Sequence, residues 1–126
     1  MSSTPSASLT DRWVLPALYG AAALTLQAAG LLNEAAHAYT ICATVLPVPA
    51  LPENDPMFLL GNVYICMHRP KKALRIFQQG ERRFSQRNGY SVPAWWIAMA
   101  NCYLLMGDRE AAGAAMERAR MLRRQR

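Results

Sequence analysis

One pattern of small and large side chains returns three times along this 126-residue chain, and nothing else in the sequence constrains the fold as much. It is clearest from Trp96 onward, where Trp96, Met99-Ala100, Tyr103, Gly107, Ala112, Met116 and Ala119 fall in a fixed order of intervals. The same grid laid on the middle of the chain picks out Met57, Leu60-Gly61, Tyr64, Ala73, Phe77 and Gly80, with His68 where the turn glycine would stand. On the first third it picks out Tyr19, Ala22-Ala23, Leu26, Gly30, Ala35, Tyr39 and Cys42, and Pro47 closes the unit. Small residues recur where two helices must approach and large ones where they must fill. Self-similarity at such a period marks stacked supersecondary units. Alanine (21 residues) and leucine (15) dominate while valine and isoleucine together supply nine, a balance that favours helix over strand. The expected class is all-α.

The local signals agree with the grid. Asp55-Pro56 reads as an N-cap followed by a first-turn proline, and Ser91-Val92-Pro93 offers a similar start. Gly107-Asp108 supplies a helix-ending glycine directly before an N-cap aspartate, and Pro70 restores a break after His68. These signals predict helices over 10–29, 32–46, 56–67, 70–86, 92–106 and 109–124. Residues 1–8 are expected to be a flexible leader and 9–126 a single domain, with units at about 16–49, 54–87 and 93–126.

The intervals W-x2-L-G-x2-Y, a turn glycine, then A-x3-F-x2-A are those of the tetratricopeptide (TPR) repeat, and the chain resembles that family from about residue 16 to its last residue. The resemblance implies three helix-turn-helix repeats forming a short right-handed superhelix, with the first helix of each pair lining a concave face. The links Pro47 to Asp55 and Gln86 to Ser91 stretch the units to 38 and 39 residues apart. The inward stripe then reads Ala17, Gly20, Leu24 and Gln27; Asp55, Phe58, Asn62 and Ile65; and Ala94, Ile97, Asn101 and Leu104. The best-known peptide binders of the family hold a C-terminal carboxylate there with Lys, Arg and Asn side chains. This stripe has no cations, and a carboxylate in it would be poorly compensated. What remains is an apolar cleft with two amide handles, suited to an amphipathic helix or an extended hydrophobic segment. Leu24, Phe58, Asn62, Ile65, Ile97, Asn101 and Leu104 are the expected client-binding residues. Six of the seven methionines stand at or after Met57, where flexible thioethers suit varied apolar contacts as well as core filling.

A small three-repeat protein with an apolar concave face is similar to the chaperones of bacterial type III secretion. That similarity rests on Leu60-Gly61, Tyr64, Ala73 and the segment Trp96 to Ala119. It implies a cytoplasmic, non-enzymatic chaperone that holds an apolar segment of a secreted or secretion-apparatus protein. A scaffold or co-chaperone subunit of a permanent complex is the alternative. A second small co-chaperone or a second copy is a further expected partner. The apolar stripe of the last helix, with Met116 and Leu122, is the expected surface for it.

Charge is divided unevenly. Residues 1–68 carry a net −3 and residues 69–126 a net +9, within a total of +6. The basic half suits an acidic protein partner better than nucleic acid, since no nucleic-acid-binding motif is present and Trp95 and Trp96, adjacent on one helix, face different sides. By the grid, Trp96 is expected to fill the core and Trp95 to be the more exposed. Three widely spaced cysteines among apolar or small neighbours read as buried small hydrophobes of a reducing compartment, and His37 and His68 lack metal-ligand spacing. No phosphate loop, nucleophile elbow or inward carboxylate pair suggests catalysis, and no cofactor is expected. The apolar run from Trp13 to Ala29 is interrupted by Pro16 and Gln27 and falls short of a membrane span.

Overall fold

The computed structural model describes residues 9–49 and 51–125, with side chains from Tyr19 onward. The leader expected at 1–8 and the side chain of Ala17 fall outside the described residues. The described residues form six α-helices and no strand: α1 (Leu9–Ala28), α2 (Leu32–Val45), α3 (Pro56–Cys66), α4 (Pro70–Asn88), α5 (Pro93–Leu105) and α6 (Arg109–Arg124). A single 3-10 turn, Pro52–Asn54, interrupts the link before α3. Every helix end lies within two residues of its expected place. Asp55 caps α3 by accepting the Met57 N–H at 2.9 Å, and Asp108 caps α6 by accepting that of Ala111 at 3.0 Å. Ser91 does not cap α5. Val92 takes that position, and the Ser91 hydroxyl instead donates to Glu81 at 2.8 Å.

Three of the joints are built alike. Three residues separate α1 from α2, α3 from α4 and α5 from α6, and the middle one is left-handed each time: Gly30 at φ 80°, His68 at φ 59° and Gly107 at φ 82°. In each joint the next N–H reaches back five residues to a carbonyl: Leu31 to Leu26, Arg69 to Tyr64, and Asp108 to Tyr103, all at 2.9 Å. This is the closure of a helix whose last carbonyls are satisfied by a left-handed residue. Short connections of this kind turn the second helix back along the first. Each helix accordingly packs chiefly against its neighbours in sequence, so the chain is a row of three helix pairs.

The small positions of the grid are buried in every pair: Ala23, Gly61 and Ala100; Ala35, Ala73 and Ala112; Cys42, Gly80 and Ala119. Two of them are seats for rings. A Cβ on Gly61 would meet the Phe77 ring, and one on Gly80 would meet the Trp95 ring. Phe77 therefore locks α4 onto α3, and Trp95 locks α5 onto α4. This reverses the expected roles of the two tryptophans. Trp95 is fully buried, because the bare backbone at Gly80 leaves a slot between pairs that only a large flat side chain fills. Trp96 is half-buried on the α6 side; its indole N–H donates to the Ser91 hydroxyl at 3.0 Å, and the Arg118 guanidinium lies 5.7 Å from the ring centre. Cys42 and Cys102 are buried, and burial pushes the Cys102 thiol up to about 11. Cys66 is exposed, contrary to expectation, at the last turn of α3.

Candidate functional site

Helices α4 and α6 have a polar outward face, but α3 and α5 contain no charged residue at all. A helix that is apolar all round needs cover all round. For α5, the neighbours α4 and α6 cover Trp95, Met99, Ala100 and Cys102, yet Ile97 remains 40% and Leu104 57% exposed. That uncovered side forms a groove of about 550 Å³.

Phe58 and Asn62 of α3 line it, facing Ala94, Ile97, Asn101 and Leu104 of α5. Their spacing of three or four residues keeps each set on one face of its helix. Phe58 is held rigidly in the wall, edge-on to Phe77 at 5.5 Å and to Trp95 at 5.2 Å between ring centres. Asn62 is half-buried and Asn101 exposed, and neither carboxamide makes a hydrogen bond to the described residues. Each therefore presents a carbonyl acceptor and an N–H₂ donor to whatever enters. The groove thus offers an apolar wall and two carboxamides, with no charged group among its lining residues.

The remaining expected site residues lie elsewhere. Ile65 is half-buried and packs onto the core around Phe77 and Trp95. Leu24 is 56% exposed but borders a separate hollow of about 290 Å³ with Gly20, Tyr39, Cys42, Pro56 and Leu59. Gln27 accepts the Tyr39 hydroxyl at 3.0 Å. Asp55, read as part of the inward stripe, is only 3% exposed, and its carboxylate is spent on the α3 cap. Burial raises its pKa, with the Met57 N–H and the Arg83 charge acting the other way. On α6, Leu122 is buried at 6% exposure and so faces the chain's own packing; Met116 is half-buried and joins the groove wall from α6. Met116 thus belongs with the α3–α5 groove, an assignment that spacing along α6 alone does not give.

Among the described residues, no helix is long and apolar enough to cross a membrane, and no three His, Cys, Asp or Glu side chains gather as metal ligands would. Comparison with models of known protein families, with curated proteins and with solved structures gave no match to this chain.

Proposed function

We propose that the chain is a protein-binding module that holds an apolar segment of another protein in the α3–α5 groove, as a cytoplasmic TPR chaperone of a type III secretion client would. The observation that carries this reading is the groove itself: uncharged, walled by Phe58, Ile97 and Leu104, and furnished with two unengaged carboxamides. The three left-handed joints with their matching hydrogen bonds support reading the helix pairs as TPR-like repeats of a short superhelix. A client that later enters a membrane or polymerises must keep such segments covered beforehand. A cradle of many small apolar contacts does so without chemistry and stays separable, since each contact is weak alone. The reading gives the protein no catalytic role.

The test is capture from the native host with a tagged chain, a wash at moderately high salt, and mass spectrometry of what stays. One small secreted protein with an apolar segment is the expected result. Retention of a set of housekeeping subunits would replace the chaperone reading with that of a permanent scaffold.

A further inference from the structure

A second groove, of opposite character, runs along α4. Two depressions of about 640 and about 520 Å³ meet at Ile76 and Gln79. Arg69, Lys71, Lys72 and Arg75 border the first, and Arg82 and Arg83 the second. Together they follow one face of α4 from Lys72 through Ile76, Gln79 and Arg83 to Gln86, about 21 Å at the helical rise. No acidic residue lines either depression. Among the described residues the ion pair formed is that of Arg120 with Glu117, so none of these six cations has a carboxylate at ion-pair distance. Of the six, Arg83 lies near enough to a carboxylate, that of Asp55, to affect its protonation. The first turn of α4 has no acidic residue and no side-chain cap, which adds the positive end of the helix to the same field.

The floor decides what kind of anion fits. Ala43, Met57, Leu60, Tyr64 and Ile76 line it, so the groove is apolar below and cationic at its rim. The Lys72 ammonium sits 4.8 Å from the centre of the Tyr64 ring and covers one of its two faces. Arg83 is held at the edge by a hydrogen bond to the Ala43 carbonyl at 3.2 Å. A nucleic-acid backbone would use the cations and leave the floor empty, and a flat membrane would not reach into a channel between α2 and α4. We propose that this groove docks an acidic amphipathic segment of a partner protein, with apolar side chains on the Tyr64–Ile76 floor and carboxylates at Arg75, Arg82 and Arg83. The site is separate from the α3–α5 groove and does not depend on what that groove holds.

The probe is a labelled synthetic helix-forming peptide of glutamate and leucine with the leucines on one face, titrated by fluorescence anisotropy against the full chain. Controls are a polyglutamate of equal length and a single-stranded oligonucleotide of equal charge. The glutamate–leucine peptide should bind in the micromolar range, and polyglutamate and the oligonucleotide at least about tenfold more weakly. Arg75→Glu with Arg82→Glu should weaken the peptide about tenfold or more, and Arg75→Gln with Arg82→Gln by a smaller factor, with helical circular dichroism unchanged. All titrations are run in the Ile97→Glu with Leu104→Glu background, which removes the α3–α5 groove as a competing apolar site for the peptide. Equal or tighter binding of the oligonucleotide would overturn the proposal in favour of a nucleic-acid surface. Equal binding of polyglutamate, unchanged affinity in folded charge-reversed variants, or no binding of the peptide would overturn it outright.

Discussion

At position 68 a histidine occupies a left-handed backbone conformation that the equivalent joints give to Gly30 and Gly107. A Cβ makes that conformation costly, by roughly 1–2 kcal/mol per residue. Glycine in the same place escapes the cost but loses more freedom on folding. His68→Gly should therefore stabilise the protein by about 0.5–1 kcal/mol, and Gly107→Ala should destabilise it by about 1 kcal/mol, both read from urea denaturation. A loss of stability in His68→Gly would mean that the imidazole contributes more than its backbone strain costs. Asp55 supplies a pH signature. Burial raises its pKa, so its contribution to stability is complete below the ordinary carboxylate value and is lost as pH rises through the raised one. Asp55→Asn retains the oxygen that caps α3 and does not ionise. Its melting temperature relative to the parent should rise between about pH 4 and about pH 7. A gap that stays constant across that range would show that Asp55 is not burdened by burial.

Between elements, the protein is held by rings set into glycines. Phe77 on Gly61 closes one helix pair, and Trp95 on Gly80 joins that pair to the next. Gly61→Ala and Gly80→Ala should each cost about 1–3 kcal/mol, because the ring and not a flexible chain end must move. Gly113→Ala is the control: nothing lies within 4 Å of its added methyl, so it should stabilise α6 by up to about 1 kcal/mol. Equal effects at all three sites would dissociate the glycines from the packing. Much of this level was legible in the sequence. Asp55-Pro56 and Gly107-Asp108 announce their joints by chemistry, and the grid marks nine of the small buried positions but not Ala36, Ala38, Ala43 or Ala115. His68 was legible only as a substitution, since its side chain does not advertise a left-handed backbone. The order of the two tryptophans was not legible, because adjacent aromatics on one helix are told apart only by the glycine that receives one of them. Cys66 was misread because its apolar sequence neighbours lie on other faces of the same helix.

Across the whole molecule, apolar and basic surface are segregated. The uncharged helices α3 and α5 leave one side uncovered, while the cations gather on α4 and α6. Five of the seven expected client-binding residues, Phe58, Asn62, Ile97, Asn101 and Leu104, line a single groove. Their helical spacing made them readable. Leu24 lies apart, at a separate hollow that α1 shares with Pro56 and Leu59 at the other end of the α3 face, and Ile65 packs half-buried against the core. Met116 enters from the second helix of its pair, which a reading restricted to first helices cannot find. The most direct test is the affinity of the captured client for the parent chain and for Ile97→Glu with Leu104→Glu, by calorimetry, with circular dichroism confirming the fold. Both side chains are exposed, so the double variant should keep its helicity and its melting transition. If the groove is the client site, binding should fall by at least about a hundredfold, roughly 2.7 kcal/mol. Unchanged affinity in a folded variant would place the client elsewhere and contradict the account.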